Sequence, residues 1–423
     1  MGLTIAEKIM AAHCGGESIE HGKIIRPKID FLFGNELGTG LAIHGREEIL
    51  RAGVFDKSRI AIIPDHFTPS RNIEAAEQCK KVREFAREQE IEHYFEVGRM
   101  GIEHVILHEK GLIGAGDIIM GADSHTCTYG ALGALAIGVG STDFFYALML
   151  GETWLQVPET IKVVLNGKMP PYLTGKDLIL NLLGRIGGDG ATYKIIEFCG
   201  ETVSQLSLED RFTMCNMATE AGAKSAIFAP DALVEAYLKE RAVRPYTIYA
   251  SDPDAEYCEV IEINVGELDL QIACPSHPAN VKPLGEVLSG EKLPVDQVFI
   301  GSCTNGRIED LRKAAKIIEG RKVAENTRLI VIPGSQEVYM RAMEEGLIKT
   351  FIDAGAAFCT PTCGPCIGGH MGILAAGERC VATTNRNFPG RMGHIDSELF
   401  LSGVPVAAAS AVCGYIASPK EVL

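Results

Sequence analysis

Three cysteines in two short stretches carry the most specific chemistry in this chain. Cys359 to His370 reads C-T-P-T-C-G-P-C-I-G-G-H, with Cys363 and Cys366 forming a C-x-x-C pair. Pro361, Gly364, Pro365, Gly368 and Gly369 hold the backbone around them in a tight loop, where two thiolates can point the same way. The third is Cys303, in V-F-I-G-S-C-T-N-G, at the end of an apolar run that reads as a buried strand. Three cysteines leave one corner of a tetrahedral or cubane site unligated, and an open position is what catalytic metal sites have and structural ones lack.

Groups suited to proton transfer fall at comparable places. R-I-A-I-I-P-D-H-F-T-P is a strand followed at once by Asp65 and His66, and D-I-I-M-G-A-D-S-H-T is another, ending in Asp123, Ser124 and His125. An aspartate beside a histidine fixes its tautomer and raises its basicity. A helix cap by Asp65 with a solvent-facing His66 is the bland alternative for the first pair taken alone. His104 and His108 stand four apart, a spacing that can ligate zinc, but H-E-x-x-H is absent, so a pair of partly buried histidines is the default. Asn216 and Glu220 share one face of a helix opened by S-L-E-D at 207–210, where a solvated polar face is the competing reading. Arg386 and Arg391, in T-N-R-N-F-P-G-R, offer planar forks for carboxylates.

The elements that must position these groups alternate between strand and helix. Helical spacing broken by glycines runs from Leu3 to Gly53, with T-I-A-E fitting a capping box on the first helix. A polar helix is expected from Ile73 to Glu88, and a strand from Pro158 to Gly167 ends in an N-G turn that marks a boundary. A second boundary is expected in the proline-rich C-P-S-H-P-A-N-V-K-P, read as lacking regular structure. Beyond it, strands are expected at 297–302, 328–332, 356–359, 380–384 and 404–409, with helices at 308–318 and 336–345. This alternation favours parallel sheets, with Cys303, Cys363, Cys366, Arg386 and Arg391 just past strand ends along one edge. The expected organisation is α/β in three domains, 1–160, 161–282 and 283–423, the last carrying the cysteines.

Composition narrows the classes. Asp and Glu outnumber Lys and Arg 55 to 40, for a net charge of -15, which argues against nucleic-acid or anionic-membrane surfaces. Glu7 and Lys8 interrupt any export signal at the start, and the most apolar runs are too short and too rich in Gly and Ala to span a bilayer. Thirteen cysteines without such a signal point to a reducing compartment, the cytoplasm. No full G-x-G-x-x-G and no P-loop occurs, so the glycines of 130–140 are assigned to close backbone packing.

Three thiolates with an open iron, two carboxylate-binding arginines and strand-end Asp/His pairs describe addition and removal of water on a hydroxy di- or tricarboxylic acid. In D-H-F-T-P (65–69), G-A-D-S-H-T (121–126), C-N-M-A-T-E (215–220), G-S-C-T-N-G (301–306), C-G-P-C-I-G (363–368) and N-R-N-F-P-G-R (385–391), the chain resembles the aconitase superfamily along nearly its whole length. Within it, the large-subunit branch of the isopropylmalate dehydratases and homoaconitases is the most similar. The resemblance implies three α/β domains packed around a cluster cleft, and one [4Fe-4S] cluster on Cys303, Cys363 and Cys366 whose fourth iron, without a cysteine, binds substrate. It implies that Asp65 and His66 serve the leaving hydroxyl, and that His104, rather than His108, acts with Asp123 and His125 around the iron. Asn216 and Glu220 would bond to water or hydroxide, Ser124 would contact substrate, and Arg386 and Arg391 would grip its carboxylates. Single-chain members carry a further swivelling domain, for which this chain leaves no room. A separate small subunit, in a heterodimer or heterotetramer, is therefore expected to complete the site. Isopropylmalate, homoaconitate-type and dimethylmalate substrates are compatible with it, the first favoured.

Two readings of other classes compete. C-G-P-C is also a thioredoxin-like motif, but Thr362 stands where an aromatic is expected, and Cys303 and both arginines stay unexplained. A structural zinc site would need a fourth ligand, for which Cys359 or His370 is at hand.

Overall fold

The computed structural model describes residues 2–46 and 50–423. Three main sheets organise them. The first has five parallel strands in the order His93–Tyr94, Ile60–Ile62, Phe31–Gly34, Ile118–Gly121 and Leu135–Gly138. Phe31–Gly34, Ile60–Ile62 and Ile118–Gly121 are buried throughout, which explains their continuous apolar sequence. Helices pack on this sheet and start where their sequences say they should: Thr4 and Glu7 form the reciprocal cap of Ile5–His13, and Asn35 and Asn72 cap Glu36–Ile43 and Ile73–Glu88.

The second sheet is parallel in the order Ser225–Phe228, Ile195–Cys199, Thr160–Asn166, Glu259–Asn264. It meets the first through the 3-10 segment Ser124–Leu132, where Gly130 has a structural reason: a Cβ there would sit 1.6 Å from the Ala226 carbonyl oxygen. The third sheet has seven strands, Val281–Pro283, Gln271–Ala273, Glu398–Ser402, Arg379–Ala382, Gln297–Ile300, Arg328–Val331 and Ala357–Phe358. Its last five are mutually parallel, and the first two join antiparallel.

Three expectations are corrected here. The stretch 3–53 is not helical spacing alone, since Phe31–Gly34 within it is the central strand of the first sheet, a run too short and too evenly apolar to show a period. Cys274–Pro283 is not wholly irregular, since Val281–Pro283 pairs with Gln271–Ala273 in a hairpin on the sheet edge. That edge gives proline a place, because no donor is needed on its outer side. The run 404–409 is part of a helix, Val404–Cys413, not a strand. It is buried on nearly all sides, so no polar stripe betrays the helix, and Pro405 sits in the first turn, where a missing N–H costs nothing. From sheet membership we infer that the third unit begins before Gln271.

The parallel strands bring their C-terminal ends together. Asp65 and His66 follow Ile60–Ile62, Asp123 to His125 follow Ile118–Gly121, Cys303 follows Gln297–Ile300, and Arg386 follows Arg379–Ala382.

Candidate active site

Cys303, Cys363 and Cys366 are buried and line one cavity of about 250 Å³. Cys303 lies in the short helix Ser302–Asn305, entered through Ser302 at φ +74°, a left-handed conformation that is costly for a residue with a side chain. The cysteine loop docks on the first sheet's loop: Cys363 N and Thr362 Oγ1 both donate to the Asp65 carbonyl, at 2.8 and 2.9 Å. Ser302 Oγ stands 3.5 Å from Cys366 Sγ and 3.7 Å from Cys303 Sγ. Asn385 Nδ2 and Asn216 Nδ2 donate to Cys303 Sγ at 3.3 and 3.2 Å, and Asn385 Oδ1 is 3.7 Å from Cys366 Sγ. Burial pushes the Cys303 thiol up to about 12, and Cys366 adds to this. Cys366 goes the other way, because Cys363 donates to it and Arg391 faces it. Such a hydrogen-bonded sulfur set fits a group that needs thiolates.

Among the described residues two sets of side chains could close on a single ion, Glu36–Asp65–His66 and Glu103–His104–Asp123, and neither contains a cysteine. The two candidate fourth ligands are engaged elsewhere: Cys359 Sγ lies near the Ala357 carbonyl, at 3.9 Å, and His370 Nε2 is 3.2 Å from Thr362 Oγ1.

Above the sulfurs lies a chain of acids and histidines. Asp65 Oδ1 meets His66 Nδ1 at 2.6 Å, and Asp65 Oδ2 accepts Glu103 N at 2.7 Å. His66 is buried rather than solvent-facing. Burial opposes its charge, but Asp65, Glu36 and Asp123 outweigh it and hold the ring well above the ordinary histidine pKa. Asp123 Oδ1 takes His104 Nε2 at 2.8 Å and His125 N at 2.7 Å, and His125 Nε2 meets Glu220 Oε1 at 2.8 Å. Burial lowers His104 below the ordinary value, so it is neutral with Nε2–H on Asp123, and its Nδ1 is buried without a partner. Burial and Arg386 both oppose the charge on His125, but Asp123 and Glu220 prevail and raise it. Burial would raise Asp123 and Glu220, yet the histidines keep Asp123 well below, and Glu220 below, the carboxylate range, the latter aided by Arg386.

On the far wall Arg386 Nε donates to both oxygens of Glu220. Arg391 Nη2 reaches Cys366 Sγ at 3.9 Å, and its Nε is buried without a partner. Asp65, His66, His104, Asp123, Ser124, His125, the three cysteines and both arginines line the cavity; Asn216 and Glu220 support it from behind. His108 is turned away, stacked on Phe212 and bonded to Tyr237, and both it and His104 are fully rather than partly buried.

Sequence reasoning missed Glu36, Glu103 and Asn385. Glu36 is fully buried, and its two oxygens accept the N–H groups of Asp65, His66 and Phe67 at 2.6–3.0 Å, which shapes the Asp65–His66 turn. It stands in G-N-E-L-G-T-G, where an acid between glycines was the available signal. Asn385 stands beside Arg386 and was equally visible.

Comparison with known proteins agrees with this geometry. The model of the aconitase family (aconitate hydratase) matches residues 56–414. The chain is 57% identical over 425 residues to the 3-isopropylmalate dehydratase large subunit of Syntrophus aciditrophicus, and 56% identical over 423 residues to that of Moorella thermoacetica, with 100% of each chain covered in both cases. A solved structure, the holo-form of Thermococcus kodakaraensis aconitase X, shares the fold at a TM-score of 0.50 and 14% identity, covering 94% of this chain and 98% of that one. With a family model spanning most of its length and relatives matching it from end to end, this chain belongs to the aconitase family.

Proposed function

We propose that this chain is the large subunit of a 3-isopropylmalate dehydratase, a hydro-lyase of leucine biosynthesis that interconverts 2- and 3-isopropylmalate by loss and readdition of water. The observation that carries the reading is the convergence of three buried cysteines, two Asp/His pairs and two arginines on one cavity, in a chain over half identical to proteins of that name. Homoaconitase and 2,3-dimethylmalate dehydratase are the alternatives within the same chemistry.

Cys303, Cys363 and Cys366 would hold a [4Fe-4S] cluster. Its iron without a cysteine ligand would supply Lewis-acid polarisation of the substrate's hydroxyl and carboxylate. Arg391, with an unpartnered buried Nε, and the terminal nitrogens of Arg386 bind the carboxylates and fix the reacting C–C bond. His66, held cationic by Asp65, gives its proton to the departing hydroxyl, so that water leaves as the carbon–oxygen bond breaks. The carbon acid's proton goes to a base on a separate small subunit. His104 stays neutral, and its buried, unpartnered Nδ1 is left free as an acceptor. Glu220 locks His125 and Arg386 in place. Asn216 and Asn385 orient the sulfur of Cys303. No helix among the described residues is long and apolar enough to cross a membrane. From its reading as a biosynthetic enzyme with free cysteines, we place it in the cytoplasm.

The test is to purify the chain anaerobically with its small subunit and assay 2-isopropylmalate, homoaconitate and 2,3-dimethylmalate side by side. Turnover of 2-isopropylmalate by the pair, and little by the large chain alone, is expected. A kcat/KM higher for either of the others would reassign the substrate.

A further inference from the structure

Lys176 is fully buried in the first turn of the helix Gly175–Ile186, behind the cysteine cavity. Its ammonium donates to two consecutive carbonyls, Thr383 at 2.9 Å and Thr384. Neither is an anion, and among the described residues no carboxylate oxygen lies within 4.0 Å of it. The adjacent Asp177 is already engaged, one oxygen by Gln271 N and the other by Thr174 N and Oγ1. A buried ammonium without a paired charge is among the more costly things a fold can keep, so it either gives up its proton or gains a compensating charge.

The carbonyls lead straight to the sulfurs. The Thr383 oxygen also accepts from Thr304 Oγ1, at 2.6 Å, and Thr304 follows Cys303. Thr384 precedes Asn385, whose amide touches Cys303 and Cys366, and Arg386 comes next. Burial pushes the Lys176 amine down to about 7, and Cys303 and Cys366 are foremost among the groups that pull it back up, ahead of Asp310 and Asp177. Three thiolates outweigh a dipositive iron–sulfide core, so the occupied cavity is net negative where these sulfurs lie.

We propose that Lys176 is a positioning residue whose ammonium is the buried counter-charge of the cysteine-held cluster and clamps the Thr383–Arg386 segment against it; this rests on the reading of Cys303, Cys363 and Cys366 given above. A nearby positive charge favours the reduced cluster, so removing it lowers the reduction potential. The clamp accounts for how Asn385 and Arg386 keep their angle to the sulfurs at the end of a strand.

The experiment compares Lys176→Met and Lys176→Gln, which lose the charge, with Lys176→Arg, which keeps it. All are purified anaerobically beside wild type. Iron and sulfide per chain are measured first, since a wild-type chain without a cluster overturns the functional reading itself, whatever the variants do. With wild type loaded, the reduced cluster's electron paramagnetic resonance signal is followed through a potentiometric titration. The expected result is a potential shifted to more negative values in Met and Gln and close to wild type in Arg. Neutral variants that assemble no cluster while Arg loads support the proposal equally. Equal loading and equal potentials in all four proteins overturn it. So does loss of the folded circular-dichroism spectrum in all three variants, which assigns Lys176 to packing alone.

Discussion

Arg386 donates its Nε hydrogen to both carboxylate oxygens of Glu220, at 2.8 and 3.0 Å, while Glu220 Oε1 also meets His125 Nε2 at 2.8 Å. One buried carboxylate therefore fixes an arginine and a histidine of the cavity wall together. Glu220→Gln keeps the shape but leaves both cations facing a neutral amide. Breaking one side of a buried pair costs about 3–5 kcal/mol, part of which appears here as misplaced groups. We expect kcat/KM to fall by about two orders of magnitude with the cluster retained. Steady-state kinetics within twofold of wild type would remove Glu220 from this role.

Arg391 is the arginine with an unpartnered buried Nε, so its fork is the freer of the two. Arg391→Lys retains the charge but not the bidentate geometry. Loss of a hydrogen bond to a charged group, about 1.5–3 kcal/mol, corresponds to a KM increase of about 10- to 150-fold. Cluster content should be unchanged. Unaltered KM and kcat would place Arg391 outside the substrate site.

Asp65 holds the His66 proton against the effect of burial. In wild type His66 stays protonated to well above the ordinary histidine value, so the acid function proposed for it is lost only as pH rises through that raised pKa. In Asp65→Asn the compensating charge is gone, and the pKa falls. The alkaline limb of the kcat–pH profile should therefore move to lower pH. A limb that stays in place in the variant would mean that another group supplies the proton.

Glu109 lies at the far end of the helix that carries His104, with Oε1 accepting from Ser335 Oγ and Oε2 buried without a partner. Burial pushes its carboxyl from 4.5 up to about 7. The folded chain thus holds a proton that the unfolded chain releases between those values, so this group's contribution to stability declines as pH rises through that window and stays low above it. Glu109→Gln should stabilise the protein at pH 8, by on the order of 1–3 kcal/mol, and change it little at pH 4.5. Denaturant unfolding of both proteins at the two pH values measures the difference. A variant less stable than wild type at pH 8 would contradict the burial argument.

The strand-end residues were legible because a fully buried parallel strand leaves an apolar run in the sequence, and the first polar residues after it must lie at the sheet edge. The cysteine stretch was legible through its spacing and its glycines and prolines. Glu36 and Lys176 were not, because charged residues are rarely buried and nothing local distinguishes the few that are. Their burial is set by partners far away, the 65–67 backbone for Glu36 and the 383–384 carbonyls for Lys176. The helix Val404–Cys413 escaped because a helix buried all round has no amphipathic period. The hairpin of Gln271–Ala273 and Val281–Pro283 escaped because its anchoring strand, Glu398–Ser402, lies far downstream.

An iron not held by cysteine should be the first to leave. Exposure to air with a chelator should abolish activity while three irons remain, and ferrous iron with a reductant should restore it. Full activity after that treatment would mean that every iron has a protein ligand.

The most direct measurement is iron and acid-labile sulfide per chain on anaerobically purified protein, with electron paramagnetic resonance before and after mild oxidation. About four irons and four sulfides, with a three-iron signal appearing on oxidation, is the predicted result. Stoichiometric zinc with neither iron nor sulfide would contradict the account at its centre.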